Sequence, residues 1–360
     1  MRILHVCQFL GIGGLEKVLL DLCKEQIKCG HQVSLIVYDN DQRWNNRFRE
    51  IGVKLNNDYL KSDGFDLALL NRLQDVVFKH EIVHTHDLNP AIYLGTLSLI
   101  NLVTHGKRVQ FVHTTHGMEH IKARPITKLY ELLVGLTASK IISVSEAFKL
   151  YYEKQPLTKL SKLHVVKNGV ELPDQSTNCL RSTLCEEFNL DHSKPIGVYV
   201  ARITPLKDQL RLIESYRDSN HQLVLVGPPS DHTYFTRCRE RITPNIVLTG
   251  ARDDIMELLK MADYYISTSK HEGLPISVLE AGVIELPCLL SRIPGHLLFN
   301  QHKECVSILG HTDHPLNAIE DFLKNAHRLT KNFKEEIIDR YSAHTMHKEY
   351  LSIYQEVLES

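Results

Sequence analysis

Short apolar runs of strand length alternate with stretches of helical period almost from the first residue, and this rhythm admits few folds. Arg2–Cys7 reads as a buried strand, Phe9–Gly14 as a glycine loop, and Leu15–Gly30 as an amphipathic helix that Gly30 ends. Gln32–Tyr38 is a second strand. Glu81–His84, Arg108–His113, Lys140–Val144 and Lys162–Lys167 are further runs rich in Val and Ile. Helical patterns at Phe65–His80, Ala91–Thr104 and Ile126–Ala138 lie between them. Continuous apolar strands joined by helices predict a parallel sheet covered on both faces.

A polar stretch, Pro173–Asn178, interrupts the rhythm, which then restarts. Ile196–Val200, Gln222–Val226, Ile246–Leu248, Tyr264–Ile266 and Cys288–Leu290 read as strands. Pro205–Tyr216, Asp253–Met261, Ser277–Ile284 and Pro315–Arg340 read as helices, and a last helix runs from Ser342 to about Leu358. A chain of 360 residues is long enough for two cores. The predicted fold is α/β, with two doubly wound, Rossmann-like domains over 1–172 and 196–340. A linker over 173–195 joins them, and a C-terminal helix over 341–360 is expected to cross back to the first domain. Residues 1–170 carry 22 Lys+Arg against 16 Asp+Glu, whereas the remainder carries 20 against 27. Opposite signs suit domains that face one another across a cleft. Ligands of such sheets bind beyond the carboxyl ends of the strands, so those loops carry the chemistry.

The strongest local signal is Ser269-Lys270-His271-Glu272-Gly273-Leu274-Pro275-Ile276-Ser277-Val278-Leu279-Glu280-Ala281, a strand end running into a helix. Pro275 stands where helix starts prefer it. The first backbone N–H groups of that helix, with those of Leu274, Ile276 and Ser277, suit a phosphate. Carboxylates repel phosphate, so Glu272 and Glu280 are assigned to sugar and ribose hydroxyls. A second signal, Arg202-Ile203-Thr204-Pro205-Leu206-Lys207, puts two cations on a loop opening into a helix, where they can clamp a leaving diphosphate.

Together these two motifs resemble the retaining glycosyltransferases of family 4, the large GT-B group, in which an Arg–Lys pair and two glutamates eight apart occur in this order. Other segments share the resemblance: the opening strand with Gly11-Ile12-Gly13-Gly14-Leu15-Glu16, Val83-His84-Thr85-His86-Asp87, Thr114-Thr115-His116-Gly117, Val144-Ser145 and Val166-Lys167-Asn168-Gly169-Val170-Glu171. The resemblance implies that Arg202 and Lys207 hold the diphosphate of a nucleotide-sugar donor and Glu280 its ribose. Glu272 and His116 then contact the transferred hexose at the reaction centre. Gly13, Gly14, Gly227, Gly273, Leu274, Pro275 and Ile276 approach the donor through backbone, and Arg252 marks the loop assigned to the base. Glu16, His86 and Asp87 are assigned to a saccharide or lipid-linked acceptor. The family implies retention of configuration, no metal and no cofactor beyond the donor, with UDP favoured over GDP. Ala201 and Asp208 stand where the family has glycines, Gly227-Pro228-Pro229 replaces Gly-x-Gly, and Ile293-Pro294-Gly295-His296 lacks the usual Gly-Gly and following Glu.

Rival readings are a sugar-nucleotide epimerase of similar fold and a noncatalytic sugar-nucleotide-binding module. A dinucleotide site fails because Glu16 stands where the third glycine of Gly-x-Gly-x-x-Gly belongs. Asp39-Asn40-Asp41 is read as a polar turn rather than a metal site, and His84, His86 and His113 as satisfied core or cleft histidines rather than zinc ligands. The eight cysteines lack disulfide-like or Cys-x-x-Cys spacing, which suits reduced thiols. No signal peptide or apolar run of spanning length is read, so a cytoplasmic location is expected. No nucleic-acid partner is expected. The segment His120–Lys140, with Lys122, Arg124 and Lys128 beside Leu129, Leu132 and Leu133, leaves open a peripheral membrane contact, but packing of those leucines into the core is favoured.

Overall fold

The computed structural model describes residues 1–116, 126–172, 181–310, 313–325 and 331–359. They form two compact units, Met1–Gly169 with Ala343–Ser360, and Val170–Ser342. Gly117, Lys122, Arg124 and the polar stretch Pro173–Asn178 lie outside the described residues.

The first unit holds a parallel sheet of β1 (Arg2–Cys7), β2 (Gln32–Val37), β3 (Lys54–Asn56), β4 (Ile82–His86), β5 (Val112–Thr115), β6 (Lys140–Ser143) and β7 (Leu163–Val165). The spatial order is β3-β2-β1-β4-β5-β6-β7. β1 pairs with β2 on one side and β4 on the other, so the order reverses there, and a crevice opens beyond the carboxyl ends of β1 and β4. The second unit repeats the plan with β8 (Ile196–Val200), β9 (Gln222–Val226), β10 (Ile246–Gly250), β11 (Tyr264–Ser267), β12 (Cys288–Ser291) and β13 (Val306–Leu309). Its order, β10-β9-β8-β11-β12-β13, reverses between β8 and β11. Central strands are apolar on both faces: Leu223, Val224, Leu225 and Val226 of β9 are all buried, as a sheet clad in helices requires.

The C-terminal helix Ala343–Glu359 belongs to the first unit, where it packs on the helix Gly14–Lys28 and on β4. Tyr350, Ile353, Tyr354 and Val357 form its buried stripe at helical spacing.

Several sequence expectations are corrected. Residues 181–195 are not linker: Arg181–Phe188 is a helix whose Leu184 and Cys185 join the second core, and Arg181 donates to Asp263 at 2.9 and 3.0 Å. The sequence reading has no strands at β3 or β13, which are short edge strands of three and four residues; β3 has no buried side chain, and β13 buries only Val306 and Leu309. Leu129, expected in the core, is 59% exposed, because Val134 and Glu131 instead face inward from the helix Ile126–Thr137. No described helix is long and apolar enough to cross a membrane.

Candidate active site

In the second unit the two loops beyond β8 and β11 are tied together by backbone. The Lys270 N–H donates to the Leu206 carbonyl at 2.8 Å, and the Thr268 hydroxyl donates to the Asp208 carbonyl at 3.0 Å. This brings Lys207 and Glu272, distant in sequence, to 2.5 Å between Nζ and Oε1, both side chains mostly buried. The ammonium has three N–H donors and gives one to Glu272; among the described residues the other two have no partner and can meet a second anion. Arg202 is exposed at the mouth of the same loop, its carbonyl accepting from Gln209 Nε2 at 2.9 Å.

Asp208 adopts the left-handed conformation, φ 53° and ψ 41°. Aspartate is among the few residues that tolerate it, which accounts for a non-glycine at this family glycine position. Lys270 Nζ lies 3.1 Å from its carboxylate. Gly227 cannot be replaced so easily: its φ is +147°, and a Cβ would lie 2.1 Å from the Ala201 carbonyl oxygen.

Beyond Glu272, Pro275 is the residue preceding the helix Ile276–Val283, and no side chain caps that terminus. The leading N–H groups, at Ile276 and Ser277, therefore keep no partner within the helix and present a partial positive charge. Leu274 is buried, and Glu280 is buried one turn further on. Gly295 lets the loop after β12 press on this segment, for a Cβ there would lie 2.6 and 2.7 Å from the carbonyl oxygens of Glu272 and Gly273. His296 follows, fully buried, its Nδ1 2.9 Å from the Ser291 carbonyl oxygen. Burial lowers its pKa, and Glu272 nearby opposes that. Arg252, expected at the nucleotide base, gives its guanidinium to Asp254 at 2.6 and 2.8 Å and to Glu187 at 2.5 Å. That side chain is therefore committed to its own loop and to the helix Arg181–Phe188.

In the first unit Gly13 precedes the helix Gly14–Lys28 in extended conformation. Glu16 is buried beneath the glycine loop, and its carboxylate accepts from the backbone N–H of Gly11 and its own. Burial first, then those two hydrogen bonds in opposition and Asp87 and Asp41 in support, leave its pKa raised. Asp87 has φ 64° and ψ 173°, a region that non-glycine residues occupy only under strain. Its carboxylate accepts the His116 N–H at 3.0 Å, fixing that loop. His86, expected at the acceptor, is instead enclosed, with its ring nitrogens 2.9 Å from His5 and 3.1 Å from His116. His5, His84 and His86 each bring a ring nitrogen within 4.8 Å of the others, yet every ring nitrogen of the three has a hydrogen-bond partner. Asp39 accepts from Gln8 at 2.8 Å and Asp41 pairs with Arg43 at 2.7 Å, so that segment is a turn. The sequence reading singled out neither His5 nor Gln26, whose one signal is polarity at positions where the strand and helix patterns demand an apolar residue.

Residues 12–173 match the model of Glycosyltransferase Family 4, and residues 181–340 that of Glycosyl transferases group 1. The chain belongs to glycosyltransferase family 4. This transferase is 27% identical to the Escherichia coli UDP-Gal:alpha-D-GlcNAc-diphosphoundecaprenol alpha-1,3-galactosyltransferase, over 73% of this chain and 72% of that one. It is 22% identical to the Bacillus anthracis N-acetyl-alpha-D-glucosaminyl L-malate synthase, over 96% and 95%. Among solved structures, Anabaena HepE in complex with UDP and glucose matches with a TM-score of 0.82 at 16% identity, covering 99% of this chain and all of that one. The two-unit α/β fold is thus GT-B, and the chain is a sugar-nucleotide-dependent glycosyltransferase of glycan biosynthesis rather than an epimerase or a binding module.

Proposed function

We propose that this transferase moves a hexose, with retention of configuration and without a metal, from a UDP-linked donor to a saccharide or lipid-linked saccharide. The observation that carries the reading is the Lys207–Glu272 pair at 2.5 Å beside the uncapped helix start at Ile276. Lys207, Arg202 and the helix N–H groups supply the positive charge that a departing diphosphate needs, the task a divalent ion serves elsewhere. Glu280 accepts from ribose hydroxyls, Glu272 from the hexose, and backbone near Gly250 meets the base. In the first unit Gly13 and Gly14 bring backbone to the donor, Glu16 and Asp87 shape the acceptor region, and His116 contacts the transferred sugar. UDP is favoured because the galactosyltransferase relative is named for UDP-Gal and HepE holds UDP.

The bond from the anomeric carbon to the β-phosphate oxygen breaks, and the acceptor oxygen bonds that carbon from the same face. The leaving phosphate oxygen takes the acceptor proton, so no side chain serves as base. The test is incubation with UDP-, GDP- and ADP-sugars, each with and without EDTA, reading released nucleotide and the anomeric configuration of the product. Turnover of a UDP-sugar, indifferent to EDTA and giving the donor's own anomer, is expected. Inversion, or abolition by EDTA, would contradict the mechanism.

A further inference from the structure

Parallel pairing of β1, β4 and β5 sets His5 beside His84 and His86 beside Thr114. Residues two apart share a face, so His5, His84, His86 and Thr114 point together into the layer formed by the helices Gly14–Lys28 and Ala343–Glu359. One chain of contacts runs through this layer. Gln26 Oε1 lies 2.9 Å from His5 Nε2, His5 Nδ1 lies 2.9 Å from His86 Nε2, and His86 Nδ1 lies 3.1 Å from His116 Nε2. The chain ends at His116 Nδ1, which is buried and has no partner among the described residues.

The Gln26 amide gives the chain a direction: its Nε2 donates to the Tyr354 hydroxyl at 3.4 Å, and its Oε1 is the end turned to His5. A carbonyl oxygen only accepts, so His5 donates from Nε2. A neutral ring has one N–H, so His5 Nδ1 accepts from His86 Nε2–H, and His86 Nδ1 accepts from His116 Nε2–H. Burial keeps the rings neutral: it lowers the His5 pKa to about 4, holds His86 well below the ordinary value and lowers His116.

We propose that Gln26, His5 and His86 are positioning residues that lock His116 in the Nε2–H tautomer, so that its Nδ1 lone pair accepts a hydrogen bond from a hydroxyl of the transferred sugar. This rests on the placement of His116 at that sugar. It makes the contact selective: a hydroxyl or ammonium can donate to it, whereas an ether, a fluorine or a hydrogen at that sugar position cannot.

The test is nitrogen-isotope labelling of histidine in the intact chain, with long-range proton–nitrogen correlation spectra reading which ring nitrogen carries the proton. The His116 signals are those that vanish in His116→Gln. At neutral pH a proton on Nε2 and a bare Nδ1 are expected. Gln26→Met, which removes the accepting oxygen, is expected to give mixed tautomers and about a tenfold fall in turnover, one hydrogen bond's worth. Gln26→Glu, which keeps an accepting oxygen, is expected to restore both. A proton on Nδ1, or on both nitrogens, in the wild-type chain would overturn the proposal whatever the variants do; so would a folded Gln26→Met that leaves the tautomer unchanged. The spectra need no substrate. The expected tautomer in a chain that turns over no nucleotide sugar would therefore refute the functional reading and leave the relay standing.

Discussion

Lys207→Ala is expected to lower kcat by about 10²–10³-fold while the chain remains folded, the loss typical of removing one preorganised group that stabilises charge developing in a transition state. The argument starts from geometry. Lys207 Nζ is held 2.5 Å from Glu272, on a loop whose backbone is bonded to the Glu272 loop, so the ammonium is positioned before any ligand arrives. Alanine removes that charge and leaves Glu272 mostly buried without its cation, so the donor phosphates meet a net negative site. Glu272→Gln keeps a hydrogen-bonding side chain but frees Lys207, and about a 10²-fold loss is expected. Because each single change disturbs the other partner, the double variant is expected to fall short of the summed losses by 1–3 kcal/mol or so. Steady-state turnover of the four forms checks this. Strict additivity would show that the pair does not act as a unit.

The first unit is expected to lose on the order of 5 kcal/mol of stability between pH 7 and pH 5. His5, with its pKa lowered by burial from 6.5 to about 4, and His84 and His86, held well below 6.5 by burial and then by neighbouring histidines, all stay neutral when folded. The unfolded chain protonates all three near pH 6.5. Their stabilisation is therefore fully present above that pH and is lost as pH falls toward the folded values, at roughly 2 kcal/mol per histidine over this window. Glu16 works in the opposite direction. Its pKa is raised, chiefly by burial, so its contribution is present at low pH and lost as pH rises through the folded value. One carboxyl offsets only part of three imidazoles. Trp44, the only tryptophan, is buried in this unit and reports its unfolding in denaturant. A midpoint that does not move between the two pH values would contradict the neutral cluster.

Both doubly wound sheets were legible because buried parallel strands read as uninterrupted apolar runs, as in β9 and β11. The motifs proposed to hold the donor stand out as local patterns because a strand end, a proline and spaced glutamates lie within a dozen residues or so of one another, where helix geometry fixes their relation. Relations between distant segments were not. Nothing in Arg202–Lys207 announces that Lys207 will meet Glu272, or in Gly250–Arg252 that Arg252 will be taken by Glu187, since the helix bearing Glu187 lay in a stretch read as linker. The histidine chain was hidden for a different reason. His5 sits inside a strand otherwise apolar and Gln26 on the inner face of a helix, and only strand register shows that they meet. Positive φ at Asp87 and Asp208 is likewise invisible in composition.

The central claim is that the second unit's Arg202, Lys207, Glu272 and Glu280 form a nucleotide-sugar site. Its most direct test is calorimetric titration of UDP, GDP and ADP into the intact chain and into Glu280→Ala. Saturable binding of UDP, weakened about tenfold or more by loss of the ribose contact, is the predicted result. No binding of any nucleotide, or equal affinity of the two forms, would contradict it.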